Sequence, residues 1–284
     1  MKKVLLATTA LTLSAGVAYA EISMSGSARM GLYNDGTDTT LDNRFTVDID
    51  GKMETTSGLT FGARMRLRTS DGAAGTSPNG ARVYMNSGAV EVAVGNIYGA
   101  IDSMPNLYHS EVGYAYNIAA GDVVTVSYDG YASNGGELGA EVIYSSDSFG
   151  AHLSVTDSSL GSTNNRTAAH ISYTVGGWTL AAGTQQDDVA GNDLIVVTAA
   201  GTVGDYGIGF SAADNDGTTK MTLAGSATMG ATGVSAFVSD EEGATDTAFG
   251  LGLTYDLGGA SLGAGVQQDH AGDNQAEVGV SFSF

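Results

Sequence analysis

The side chains of this chain best suited to act on other molecules are its arginines, because they are few and closely grouped. Arg64, Arg66 and Arg68 occupy alternate positions, so an extended backbone would place all three on one face. By the same alternation we assign six arginines to one polar wall: Arg29, Arg44, Arg64, Arg66, Arg68 and Arg82. Like charges at this density repel each other, so the group predicts a surface that is wet or faced by carboxylates.

Candidate counter-charges occur in the stretch from Ile97 to Leu138, which interrupts the alternating pattern found elsewhere. The candidate acids in it are Asp102, Glu111, Asp122 and Asp129. Carboxylates facing arginines across a gap would create an electric field that orients dipolar solutes. The alternative is that these acids only solvate a surface loop. The length of the stretch and the need of the arginines for partners favour the first interpretation.

Patterns for catalysis or metal binding are missing from the sequence. The four histidines (His109, His152, His170 and His270) have no ligand spacing such as H-E-x-x-H, there is no cysteine, and no G-x-S-x-G elbow occurs. We predict that the chain is not an enzyme and has no cofactor. The acid-rich turns at 35–38 and 214–217 offer oxygen ligands of the kind that Ca²⁺ takes, but without EF-hand spacing a solvated turn is the simpler interpretation.

Alternation with a period of two dominates the chain after residue 20. In one run Phe45, Val47 and Ile49 oppose polar and charged residues, as in a strand with one apolar and one polar face. We count sixteen such runs, with a seventeenth candidate at Val123 to Tyr131. A closed antiparallel barrel of an outer membrane needs an even number of strands, so we assign that candidate to the irregular stretch.

Two soluble all-β architectures are the alternatives. A β-sandwich also alternates, but sixteen strands are many for one sandwich. A β-solenoid should repeat at a fixed period, and no such repeat is visible. Short turns alternate with longer polar connections along the chain, including long ones at 34–42 and 214–219, as in a meander whose two ends face different compartments. With no linker visible, we predict a single domain over residues 21–284.

Residues 1–20 have the features of a cleaved signal peptide. Lys2 and Lys3 precede an apolar run, and Ala18 to Ala20 form a small-x-small cleavage site. A transmembrane anchor is the alternative, but the apolar run is short for one. The formal net charge of −20 disfavours nucleic acid as a partner.

The C-terminal run, in which Phe282 and Phe284 alternate with serines, resembles the final strand of outer-membrane barrels. Together with the features above, the chain resembles the Gram-negative general porins of the alphaproteobacterial, Rhodobacter-like type. The segments that carry the resemblance are Met1 to Ala10, Ser25 to Gly31, Glu111 to Tyr114 and Thr254 to Gly259.

The resemblance implies an all-β, sixteen-stranded antiparallel transmembrane β-barrel in the outer membrane, with 97–138 inserted as the pore-constricting loop. It further implies a homotrimer, surrounded by outer-membrane lipids and lipopolysaccharide, that passes small hydrophilic solutes by diffusion. Glycines on or near the outer face of the first strands (Gly26, Gly31, Gly51 and Gly62) would suit contacts between barrels. The acidic composition predicts weak to moderate cation selectivity.

Two other functions remain open at this point. A sugar-specific channel would line its pore with aromatic side chains, for which Tyr98, Tyr108, Tyr114 and Tyr116 are candidates. A structural or adhesive barrel would display its loops at the cell surface, but the loops other than 97–138 are short.

Overall fold

The computed structural model of the protein describes residues 20–70, 78–115, 117–131 and 138–284. Sixteen strands, each antiparallel to its neighbours, join into a closed barrel in which β16 pairs with β1. This confirms the predicted fold class. The predicted signal peptide lies outside the described residues except for Ala20, which begins the first strand.

The bounds of the strands follow the alternating runs of the sequence closely. They are β1 (Ala20–Asn34), β2 (Thr39–Glu54), β3 (Thr60–Ser70), β4 (Arg82–Ser87), β5 (Val90–Asn96), β6 (Leu138–Ser145), β7 (Phe149–Thr156), β8 (Arg166–Val175), β9 (Trp178–Asp187), β10 (Leu194–Val203), β11 (Tyr206–Asn215), β12 (Thr218–Met229), β13 (Thr232–Glu241), β14 (Ala248–Asp256), β15 (Ala260–Gln268) and β16 (Asn274–Ser283). Within the described ranges, no helix is long and apolar enough to cross a membrane.

The outer wall of the barrel is apolar because alternate residues of each strand point outward. Along β1, Ile22, Met24 and Met30 are 64%, 69% and 62% exposed, while Arg29 on the opposite face lies inside. An exposed apolar band of this kind is stable in lipid and unfavourable in water. The orientation therefore matches the prediction that the apolar face meets the membrane.

The barrel closes at the chain terminus. Gly26 and Phe284 exchange two backbone hydrogen bonds, of 2.8 and 3.0 Å. The ring of Phe284 stacks on that of Phe45, with 5.9 Å between the ring centroids. A Cβ added to Gly26 would lie only 2.6 Å from atoms of the Phe284 ring. Gly26 is therefore covered by this ring and does not form an open seat for another barrel.

Two connections predicted to be long, at 34–42 and 214–219, are tight turns. β2 already begins at Thr39, where it pairs with Asn34, and β12 begins at Thr218. The polar residues at these strand ends continue the hydrogen-bonded ladder beyond the apolar band, so the prediction of loops there is wrong. Polar side chains are stable there because the strand ends project out of the hydrocarbon.

Among the connections that the structure describes, a long one that follows β5 folds inward. We call it the inserted loop (residues 97–137). Its described parts contain no strand, so Val123 to Tyr131 is not a barrel strand, as predicted. Ile97, Ile118 and Val123 are at most 1% exposed, and Val123 belongs to an apolar cluster that includes inward-facing Leu194 of β10. The inserted loop therefore lies inside the barrel.

Candidate pore constriction

The arginines of β3 pair with acids of the neighbouring strand. Arg64 binds Asp50 through Nε at 2.7 Å and Nη2 at 3.1 Å, and Arg66 binds Asp48 through the same atoms at 2.8 and 3.2 Å. Each acid stands directly opposite its arginine in the β2–β3 register. The direct ion-pair partners of these two arginines are therefore cross-strand acids, while Asp102 of the inserted loop also interacts with Arg66 through its charge.

Two further arginines hold the inserted loop. Arg29 pairs with Asp42 at 2.9 Å and donates from Nη1 to the carbonyl of Ala115 at 2.5 Å. Arg82 is 1% exposed and donates to Glu91 and Glu141, both at 2.6 Å. Arg82 is too deeply buried to contact a solute. Its role is to support the base of the loop.

The last two predicted arginines face the interior without an acid opposite them in the ladder. Arg44 stands opposite Arg29 on one side and Ser70 on the other. Arg68 stands opposite Thr46 and donates from Nε to its hydroxyl at 3.3 Å. Positive charge therefore accumulates on this part of the wall.

Three of the four predicted loop acids form one group. Asp102 accepts a hydrogen bond from Tyr108 at 2.5 Å, and the hydroxyl groups of Tyr108 and Tyr128 lie 2.8 Å apart. Burial raises the pKa of Asp102, and the Tyr108 hydroxyl opposes that shift. Both other acids, Glu111 and Asp122, also act electrostatically on Tyr128. The loop thus presents half-buried carboxylates that share one environment.

Two carboxyl groups of this group, those of Glu111 and Asp122, have raised pKa values. Burial raises the pKa of Glu111 to about 8, and the nearby charges of Asp122 and Glu277 reinforce the shift. Burial also raises the pKa of Asp122 to about 6, opposed by a hydrogen bond from Ser110 and the charge of Lys220. Both carboxyl groups are therefore partly protonated near neutral pH.

Asp129 lies apart from the other loop acids and does not face the arginine wall. It accepts from Nη1 of Arg166 at 2.5 Å and from the hydroxyl of Thr156 at 3.1 Å. Arg166 also donates to Asp187 at 2.6 Å, its partner in the β8–β9 register. Sequence reasoning missed Arg166 as a loop anchor, although counting back from the Gly176-Gly177 turn places it opposite Asp187.

A second missed anchor is Glu277 of β16. It is 3% exposed, and its carboxylate accepts from the backbone nitrogens of Tyr114 at 2.7 Å, Ala115 at 2.9 Å and Asn117 at 3.3 Å. The signal for it was present in the sequence, since Glu277 is the single charged residue of the final alternating run.

Glycines of the wall make room for the same part of the loop. A Cβ on Gly31, Gly263 or Gly279 would lie 2.3 to 2.6 Å from an atom of Tyr114 or of the backbone beside it. Gly31 and Gly62 therefore face the interior, where Tyr114 and Tyr84 occupy the space beside them. The expectation that these two glycines lie at the outer face is wrong.

Polar side chains around the wall form hydrogen bonds with the backbone of the inserted loop, whose described residues pair with no strand. Asn215 is typical, since its side chain donates to Val123 and accepts from Thr125, both at 2.9 Å. Further bonds join Thr198 to Pro105, Thr222 to Gly121 and Gln267 to Ala120. Buried backbone groups need such partners, so the loop is held at many points of the circumference.

Three of the four tyrosines considered as an aromatic track have other contacts. The Cζ atom of Arg82 lies 3.9 Å from the ring centroid of Tyr98, and Tyr114 is 5% exposed. Tyr108 is bonded to Asp102, and Tyr116 lies outside the described residues. The three described side chains therefore do not form a continuous exposed surface for a sugar.

The acid-rich turns considered for Ca²⁺ use their carboxylates locally. Asp35 accepts from the backbone nitrogens of Thr37 and Asp38 at 2.9 and 2.8 Å, and these bonds lower its pKa. Asp214 accepts from the nitrogen of Gly217 at 2.6 Å. Among the residues that the structure describes, no group of three or more His, Cys, Asp or Glu side chains is arranged to hold a metal ion.

Comparisons with known proteins agree with this architecture. The family model described as "Gram-negative porin" matches residues 7–280. A porin of Fuscovulum blasticum is 34% identical over 290 residues, covering 93% of this chain and all of the relative, and a porin of Rhodobacter capsulatus is 27% identical over 320 residues with the same coverage. A solved triple mutant of the Rhodopseudomonas blastica porin superposes with a TM-score of 0.83 at 32% identity, covering 93% of this chain and all of that one. The chain therefore belongs to the Gram-negative porin family, the β-barrel channels of the outer membrane.

Proposed function

We propose that this porin passes small hydrophilic solutes and ions by passive diffusion, with an electric field across the passage between wall arginines and loop carboxylates. The observation that carries the proposal is the position of the inserted loop, which lies within the barrel and bears Asp102, Glu111 and Asp122. What supports the field is the accumulation of positive charge at Arg44 and Arg68 on the wall. Fixed charges at a narrow point select among solutes in water.

Conductance and swelling experiments test the diffusion channel. Purified protein in a planar bilayer should give stepwise single-channel currents in KCl, whereas silence would favour a barrel that only displays its loops. Liposomes loaded with sugars of graded size should swell at rates that fall smoothly with solute size. Saturation with one sugar would contradict general diffusion and favour a substrate-specific channel.

We predict weak to moderate cation selectivity, which the wall arginines reduce. The variant Arg64→Gln/Arg66→Gln/Arg68→Gln should raise the cation-to-anion permeability ratio about twofold or more. In water one charge at ~10 Å contributes about 0.4 kcal/mol before screening. Reversal potentials in a salt gradient measure the ratio. Adding Asp48→Asn and Asp50→Asn to that variant restores two of the three lost charges and should reverse most of the change. An unchanged ratio in the triple variant would place these arginines away from the constriction.

Selectivity should depend on pH through the inserted loop. As pH falls from 9 to 5, Glu111 (pKa about 8) and then Asp122 (pKa about 6) take up protons, so the cation preference should fall in two steps. Glu111→Gln should remove the upper step, and Asp35→Asn in an exposed turn should leave both steps. Reversal potentials recorded across this range check the profile, and a flat native profile would contradict it.

The raised pKa values of Glu111 and Asp122 also make the stability of the folded protein depend on pH. Because both carboxyl groups have higher pKa values in the folded than in the unfolded chain, the folded state binds protons more tightly. Their contribution to the free energy of unfolding therefore decreases as pH rises, from about the ordinary carboxyl pKa of 4.5 for Glu111 up to about 8.

Assembly and surroundings form part of the proposal. We propose a homotrimer in contact with outer-membrane lipids and lipopolysaccharide, based on the resemblance to Rhodobacter-like porins and on the exposed apolar outer wall. Chemical cross-linking of the detergent-solubilised protein should give a trimer as its largest main product. A product that stops at the monomer would contradict this assembly.

A further inference from the structure

A cavity of about 590 Å³ lies against the inner wall, at the barrel end that holds the C-terminus and the 257–259 turn. Three arginines line it, Arg29, Arg44 and Arg68, and Tyr114 of the inserted loop lies beside them. Among the lining residues that the structure describes, Asp256 is the single carboxylate. The cavity is therefore a positively charged recess along the path from the loop to this end of the barrel.

The arrangement of these arginines differs from that of Arg64 and Arg66 on the same wall. Arg64 and Arg66 stand opposite acids, whereas Arg44 stands opposite Arg29 in the β1–β2 register. Like charges directly opposite each other destabilise a sheet. Asp42 pairs with Arg29. With Arg44 and Arg68 also in the lining and Asp256 as its acid, the described residues of the recess carry a net positive charge.

Hydroxyl groups complete the recess. Ser27 and Thr46 are paired across β1 and β2 and line the cavity together with Ser281 of β16. Guanidinium groups offer planar pairs of N–H donors that match the oxygen atoms of phosphate and carboxylate groups, and hydroxyls add single donors. A monatomic anion has only one atom to bind, so this donor set favours an oxyanion.

We infer that this recess is a binding site for small oxyanions, of the phosphate or carboxylate class, at which such solutes pause during passage. The inference rests on the proposed diffusion channel and identifies one stopping point within it. Arg44 and Arg68 supply the charge, and the hydroxyls of the recess select for oxygen-rich ions. Solutes that carry such a group would bind here by that group while the rest remains in the open passage.

Inorganic phosphate is the probe. In a planar bilayer at constant ionic strength, added phosphate should reduce the single-channel KCl current in a saturable way. Arg44→Gln/Arg68→Gln should raise the half-blocking phosphate concentration about tenfold or more, since two charge-assisted contacts are lost. The matched control Arg64→Gln/Arg66→Gln removes the same charge from the same wall outside the recess and should raise it about twofold or less.

The possible outcomes test the phosphate site and the diffusion channel separately. Equal shifts in the two double variants would reduce the effect to overall charge and overturn the site. Absence of phosphate block in the native protein would also overturn it, while the KCl current would leave the diffusion channel standing. Absence of KCl current would refute the channel itself. If Arg44→Gln/Arg68→Gln does not fold, Arg44→Lys/Arg68→Lys keeps the charge and should still weaken the block severalfold, because lysine cannot bind an oxyanion bidentately.

Discussion

Replacing Glu277 with alanine should release part of the inserted loop from the barrel wall and give a larger, noisier single-channel current. In the native protein this one carboxylate accepts three backbone hydrogen bonds from the loop, at 2.7, 2.9 and 3.3 Å, and is 3% exposed. Each buried donor left without an acceptor costs about 1–3 kcal/mol. The loss of acceptors for the N–H groups of Tyr114, Ala115 and Asn117 therefore costs more free energy than the other contacts of this part of the loop can replace.

The measurement is single-channel recording with analysis of open-channel noise. Glu277→Gln is the matched control, because it keeps one acceptor oxygen of nearly the same shape and should give an intermediate current. A variant with the native current and noise would show that Arg29 and the glycine-lined seat of Tyr114 hold this segment without the carboxylate. The recording thus separates a charge-dependent anchor from one that depends on packing.

The barrel was predictable from sequence because its physical cause is local and repeated. Each strand alternates between lipid-facing and interior residues, and this alternation is visible without tertiary information. The requirement for an even number of strands removed Val123 to Tyr131 from the wall, and the structure places that segment inside the barrel. Polar strand ends at Thr39 and Asn215 were missed, because outside the hydrocarbon they no longer alternate in hydrophobicity.

The pairing of charges was less predictable, for two separate reasons. The partners of Arg64 and Arg66 follow from strand register, so counting across the β2–β3 hairpin would have identified Asp50 and Asp48. The partner of Asp129 follows from the path of the inserted loop, which passes beside Arg166 of β8, far from it in sequence. A loop path depends on side-chain anchors around the whole circumference, and no local pattern encodes it.

Arg166, Asp129 and Asp187 form a buried charge triad, and loss of its arginine should have the largest effect on stability. The guanidinium is 2% exposed and lies between Asp129 at 2.5 Å and Asp187 at 2.6 Å, which are 3% and 0% exposed. Arg166→Met should lower the free energy of unfolding by about 3–5 kcal/mol, because it removes the guanidinium that pairs with two buried carboxylates. Denaturant unfolding of the detergent-solubilised barrel measures the loss. Arg64→Met, in a pair that is 31% and 22% exposed, should cost about 1 kcal/mol or less.

A rescue variant distinguishes uncompensated charge from lost packing. Arg166→Met/Asp129→Asn/Asp187→Asn removes all three charges of the triad and should recover most of the stability lost in Arg166→Met, since neutral amides need no counter-ion. If the triple variant is as unstable as Arg166→Met, the arginine acts by filling space beside the inserted loop. If Arg166→Met is no less stable than Arg64→Met, water must reach the triad, and Asp129 would then belong to the open passage together with Asp102, Glu111 and Asp122.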